Sequence, residues 1–317
     1  MSRSPPANTN DGAGAAPRLL AGISFLTPAD LPVWSAGPRG DEATIYQAVK
    51  AAGYEAIQTL EPAVALAAGL IPTGLARVFG DTDQLRDVAI RWRDSGCDCT
   101  TVQLGDGFES DDEMARLAEA LLTISAAEKH PVYLETHRAT MTQDIKRTLD
   151  LIARFPELRF NGDFGHWYIG HEMTYGDMEM KFEKMQPVFE RTRFMHLRVS
   201  SNAFGQLTAS DPAEARHLDY YRRMWTASFA GFLKEATAGD YFAVHPELLP
   251  ARAFYPKMVP GADGVMREES DRWTEAAFLI EVARACFAKA QEEVAAAGRN
   301  PPSPSWGGWR EAPGGAV

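Results

Sequence analysis

A chain of 317 residues with 43 Asp and Glu against 32 Lys and Arg carries a formal net charge of -11, which opposes binding to a polyanion such as nucleic acid and favours a small neutral or mildly charged partner. No apolar run approaches the roughly 20 residues that a membrane span requires. The length suits one (β/α)8 barrel, which takes roughly 250 residues plus insertions.

In chain order, residues 1–17 (MSRSPPANTNDGAGAAP) are polar, with scattered Pro and Gly. They lack the apolar segment of a signal peptide, so a disordered tail and a cytoplasmic protein are expected. From Arg18 onward short apolar runs alternate with amphipathic stretches. Eight runs read as strands: RLLAGISFL (18–26), YEAIQTL (54–60), LIPTGLARVFG (70–80), CTTVQLGDGF (99–108), PVYLETHR (131–138), RFNGDFGHW (159–167), TRFMHLRVS (192–200) and YFAVHPEL (241–248). Between them, stretches such as DTDQLRDVAIRWRDSG and SDDEMARLAEALLTISAAEK repeat apolar residues every three or four positions and end in Asp, Ser or Gly, the marks of helices. Thr142 is expected to cap a helix carrying Ile145, Leu149, Ile152 and Phe155 on one face. A last helix runs from about Ser270 to near Gly298. Strands alternating with helices of this length imply parallel pairing, and eight such units imply a closed TIM barrel over 18–298 with helices outside.

Residues 299–317 are rich in Pro and Gly and read as an extended tail, with Trp306 and Trp309 available to pack on a neighbouring subunit. Cys97, Cys99 and Cys286 are expected to be buried thiols, because one C-x-C supplies only half of a structural zinc site.

The chemistry gathers at the ends of the last four strand candidates, in Glu135, Asp163, His166, His196 and Glu247. Residues two apart on a strand share a face, so Glu135 with His137, His196 with Arg198, and His245 with Glu247 should project together. In one parallel barrel those faces converge at the C-terminal mouth, a layout for a metal site. Asp163 and His166, three apart, are expected to span a strand end and the turn after it.

The stretches VYLETH, GDFGHW, HLRVSS and HPEL, in this order and spacing, resemble the xylose isomerase-like TIM barrel superfamily of sugar isomerases and epimerases. That superfamily includes tagatose 3-epimerase-like enzymes, inosose dehydratases and type IV apurinic endonucleases. The resemblance covers most of 18–298 and is specific at those four strand ends. It implies one divalent metal held by Glu135, Asp163, His196 and Glu247, with His166 near metal and substrate, and it implies a homo-oligomer. Three carboxylates and an imidazole make a hard site, suited to manganese first and also to magnesium, cobalt or zinc.

Such an ion acts as a Lewis acid beside a carbonyl, and a base must lie within hydrogen-bond reach. The candidate catalytic groups are His166, Glu247 and His137. The expected reaction is sugar isomerisation or epimerisation by proton transfer; dehydration or elimination on a keto-sugar or inosose is the alternative. Substrate contacts are expected from His166, Arg198 and His245, and from Trp34 and Arg252 in the long loops after the first and eighth strands, with Tyr255 and Lys257 beside them. For His137 and His245 the alternative reading is a core or ligand-orienting histidine, and for Arg198 an ion pair with a ligand carboxylate.

One departure bears on mechanism. The ketose 3-epimerase pattern has a second glutamate shortly after the first metal-ligand glutamate, whereas here THRATM follows and no carboxylate occurs between Glu135 and Asp144. Single-base isomerisation or elimination suits the chain better than two-base inversion. An apurinic endonuclease would need more His and Asp ligands and a basic face, yet no histidine precedes His130 and the charge is acidic. A sugar-binding barrel without chemistry would not be expected to retain the full ligand set.

Overall fold

The computed structural model describes residues 4–299; the tail with Trp306 and Trp309 lies outside the described residues. Eight parallel strands form the barrel: β2 Arg18–Ser24, β3 Ala56–Gln58, β4 Ile71–Val78, β5 Thr100–Leu104, β6 Val132–Glu135, β7 Phe160–Asn161, β8 Thr192–Leu197 and β9 Asp240–Pro246. They pair in sequence order, and β9 closes the circle by pairing with both β8 and β2. All eight expected strands are present. Each is shorter than its apolar run, because the residues that follow turn outward into the mouth loops.

Inward-facing Leu20, Ala56, Cys99, Tyr133, Phe194, Tyr241 and Ala243 fill the barrel interior. The outward faces pack under the helices α1 Glu42–Ala51, α2 Pro62–Ala67, α3 Thr82–Asp94, α4 Asp111–Glu128, α5 Ile145–Arg154, α6 Phe164–Gly170, α7 Met178–Phe189, α8 Ala215–Glu235 and α9 Arg272–Arg299. Ser110 and Glu113 form a reciprocal capping box on α4, supplying partners to backbone N–H groups that the helix leaves open. Cys97, Cys99 and Cys286 are free and buried. Among the described residues no helix is long and apolar enough to cross a membrane.

Three local expectations need correction. Residues 4–17 are not a loose tail throughout: β1 Thr9–Asn10 pairs antiparallel with β9, and Asn8 and Asn10 both donate to Asp240. Polar side chains make that attachment, so apolar patterning gave no sign of it. Thr142 does not cap α5. Asp144 does, accepting from the Arg147 amide at 2.7 Å, while the Thr142 hydroxyl donates to the Glu135 carbonyl at 2.6 Å and fastens the loop after β6. Finally, Asp163 and His166 do not span a turn. β7 stops at Asn161, and Asp163 caps α6 by accepting from the Gly165 amide, since a short carboxylate at that position satisfies an open helix N–H.

The long mouth loop after β9 contains a hairpin of β10 Met258–Pro260 with β11 Met266–Glu268. Buried Arg272 ties this loop to the one after β2. Its Nε donates to Glu268 at 2.8 Å and its terminal nitrogens donate to the carbonyls of Leu26, Thr27, Ala29 and Asp30.

Candidate metal centre

Glu135 ends β6, Asp163 caps α6, His196 lies near the end of β8 and Glu247 follows β9. All four are buried. The Nδ1 of His196 stands 3.6 Å from Glu247, 3.7 Å from Asp163 and 4.0 Å from Glu135. Its Nε2 donates to the Gln58 side-chain oxygen at 2.9 Å, and Gln58 is itself held by donating to Thr101 at 3.0 Å. That bond turns Nδ1 toward the carboxylates and suits it to be the ligand atom. Glu135 accepts from Gln103 at 3.0 Å and from Asn161 at 3.3 Å.

A second wall is made of imidazole and guanidinium. Arg198 pairs with Asp163 and, at 3.5 Å, with Glu247, so of its two readings the structure gives it the ion pair with the carboxylates. Its guanidinium also reaches the Nε2 of His166 at 3.2 Å. The rings of His137 and His166 lie with centroids 3.6 Å apart, tilted by 39°, and the side chains of Glu135, His137 and His166 form a second cluster able to hold an ion, sharing Glu135 with the first. Tyr255 covers this wall, its ring 4.8 Å from the Arg198 guanidinium, 5.1 Å from that of Arg138 and 6.0 Å from the His166 ring.

Burial, with Glu247 and Asp163 alongside, pushes Glu135 up to about 8 against the pull of His196. Burial likewise raises Glu247, opposed by His196 and Arg198. It would raise Asp163 too, but Arg198 and His166 overcome it and hold that carboxyl well below the usual range. Burial works against charge on His196, yet the carboxylates outweigh it and push the imidazole up to about 9. His166 falls to about 4 and His137 to about 2, chiefly through burial, so both rings are neutral. Three carboxylates crowded round one imidazole, with the Asn161 Oδ1 buried beside them and unpartnered, fit a hard divalent cation.

A cavity of about 490 Å³ opens onto Glu135, His196 and Glu247 from the side of β3 to β5. Several expected substrate contacts lie away from it. His245 is fully buried, stacked on Phe194 at 4.5 Å in the space that Gly22 leaves free, where an added Cβ would meet its ring at 2.3 Å. It packs the barrel interior instead of facing the cavity. Trp34 and Arg252 line a separate pocket, with Arg252 paired to Asp30, and Lys257 pairs with Glu269 and Glu214. Long side chains on long loops found nearer partners than the barrel axis. Gln58, Gln103, Asn161 and Arg77 are not among the site residues expected from the sequence; they lie at or near the C-terminal ends of β3, β5, β7 and β4. The period-two positions of β3, β4, β5 and β7 would have pointed to them.

The architecture is that of a (β/α)8 barrel. No protein-family model and no curated protein matches the sequence, while solved structures do. A D-allulose 3-epimerase from Methylomonas sp., in complex with D-allulose, aligns with a TM-score of 0.50 at 14% identity over 86% of this chain and 99% of that one. A xylose isomerase-like TIM barrel protein from Mycobacterium smegmatis, in complex with magnesium, gives 0.47 at 14% over 88% and 98%. The probable 3-DHS dehydratase AsbF of Bacillus anthracis gives 0.46 at 15% over 74% and 94%. At 14% identity the likeness to the epimerase is one of fold alone.

Proposed function

We propose that this chain is a divalent-metal-dependent isomerase or epimerase acting on a sugar or polyol beside a carbonyl. The observation that carries the reading is the convergence of Glu135, Asp163 and Glu247 on the Nδ1 of His196, all within 4.0 Å and all buried, with Glu135, His196 and Glu247 lining a cavity. These four residues would hold the ion, manganese first. When bound, the ion supplies Lewis-acid polarisation of a substrate carbonyl and its neighbouring hydroxyl.

The chain's own groups do the rest. Glu247 borders the cavity and is the base that takes the proton from the carbon beside the carbonyl. Arg198 fixes Asp163 and Glu247 in place, and Gln58 sets which nitrogen of His196 faces them. His166 is neutral, its Nε2 accepts from Arg198, and its Nδ1 is buried without a partner. It is therefore suited to donate to a substrate oxygen or to return a proton, with the His137 ring beside it at 3.6 Å.

A second reading, dehydration or elimination on a keto-sugar or inosose, is supported by the same pair of rings. A neutral imidazole can hydrogen-bond a departing hydroxyl, and the loop between Glu135 and Asp144 supplies no second carboxylate. Working as a homo-oligomer in the cytoplasm on a small substrate, without nucleic acid, belongs to the same proposal.

The test is divalent metal per chain by elemental analysis, in wild type and Glu247→Ala after refilling with manganese, followed by deuterium uptake from heavy water into ketoses and inososes. About one equivalent in wild type and its loss in the variant is the expected result. If neither protein holds metal, the enzyme reading falls. Product analysis then separates an isomer from an elimination product.

A further inference from the structure

We propose that Arg77 makes the wall of this cavity an anion subsite, so that the substrate handled at the metal centre is a sugar acid or sugar phosphate and not a neutral sugar. The inference rests on the reading of that centre given above.

In β4, Arg77 is in register with Gln103 of β5, and Gln103 faces inward to reach Glu135. Arg77 therefore also faces the barrel axis, at the top of its strand, and lines the same cavity as Glu135, His196 and Glu247. Arginine is an unusual inward residue unless a carboxylate meets it. Fully buried Arg193, Arg198 and Arg272 each have such a partner, in Glu235, Asp163 and Glu268. Among the described residues half-buried Arg77 has none.

Its hydrogen-bond partners are both neutral, and its guanidinium also lies 4.9 Å from the Phe79 ring. One terminal nitrogen donates to the Gln103 side-chain oxygen at 3.2 Å and the other to the Ala139 carbonyl. The Nε–H is buried with no partner, an arrangement that costs stability unless a ligand completes it. A guanidinium carries five N–H groups, so its fork remains available to a planar or tetrahedral oxyanion, the geometry at which arginine excels.

Arg91 of α3 borders the same cavity, resting on the Trp92 ring at 4.4 Å and likewise without an ion pair. Asp87, one turn earlier on that helix, also faces the cavity, but neither arginine lies within ion-pair distance of it. Among the described residues, half-buried Arg77 and exposed Arg91 thus stand at this cavity without an ion pair, in a chain with a net charge of -11. A carboxylate or a phosphate would satisfy them equally, and the chemistry that both share is the proposal.

The experiment measures dissociation constants by calorimetry, at fixed ionic strength, for D-glucitol, D-gluconate and D-glucitol 6-phosphate. Titrations use manganese-loaded and metal-free wild type and the variants Arg77→Gln and Arg77→Lys. At least one of the two anions is expected to bind wild type about tenfold or more tightly than glucitol, the scale of one charge-assisted hydrogen bond. Which anion does so identifies the group. Arg77→Gln should abolish the preference, and Arg77→Lys should keep part of it.

Equal affinities in wild type would overturn the subsite, and so would a preference that survives Arg77→Gln in a variant with wild-type manganese content. An Arg77-dependent preference in metal-free protein would uphold the subsite even if no metal binds. Manganese binding without any preference would leave the metal centre standing and the subsite refuted.

Discussion

Loading the centre with a divalent ion is expected to release about two protons per ion at pH 7. In the metal-free site Glu135 sits at about 8 and His196 at about 9, so at pH 7 the first is about nine-tenths protonated and the second almost wholly so. A metal ligand must be a carboxylate and a neutral imidazole, so both protons have to leave. Asp163, held well below the usual range, has none to give.

The sign follows directly. Protons compete with metal, so affinity rises with pH, by about two orders of magnitude per unit below pH 8, and flattens as His196 titrates. At pH 9 only about a tenth of Glu135 and about half of His196 still carry a proton, and the release falls to roughly 0.6 per ion. The assay is calorimetric titration of manganese into metal-free protein in two buffers of different ionisation enthalpy, at pH 7 and pH 9. A release close to zero at pH 7, or one that does not change with pH, would refute the placing of Glu135 and His196 together at the ion.

Other consequences can be checked singly. Replacing Gln58 with Leu removes the acceptor that fixes the His196 ring and is expected to weaken manganese binding by about 10- to 100-fold, read by competition with a chelating dye; unchanged affinity would mean the ring is oriented by something else. His130, buried against Thr100 at 2.9 Å and brought down to about 4 chiefly by burial, stays neutral in the fold. Protonation therefore favours the unfolded chain: stability is lost as pH falls from the ordinary value of 6.5 toward 4, by up to about 3 kcal/mol. The drop in urea midpoint between pH 7 and 4.5 should shrink in His130→Gln; an equal drop would assign the acid sensitivity to other groups. Arg272→Met leaves Glu268 buried without its partner and frees the loop carbonyls, and a cost of about 3 to 5 kcal/mol in chemical denaturation is expected. A loss below about 1 kcal/mol would show that the two mouth loops hold together without it.

Periodicity alone determined the architecture. Eight apolar runs alternating with helical stretches imply a parallel sheet covered by helices, and eight such units suit closure into a barrel; the structure has that barrel. The same rule placed Glu135, His196 and Glu247 at one mouth, because side-chain direction along a strand and the common sense of parallel strands are local properties.

What came only from the tertiary structure is how those groups are partnered. Gln58, Gln103 and Asn161 come from three other strands to meet His196 and Glu135, and Arg198 settles on Asp163 and Glu247 instead of standing free. His245 shares a strand face with Glu247, yet Gly22 on the next strand leaves it a slot to pack in. Trp34 and Arg252, on the right loops, close a different pocket. Each of these outcomes depends on which atoms arrive from distant parts of the chain, and on the cost of leaving a buried polar group unpaired, neither of which a strand's own residues record.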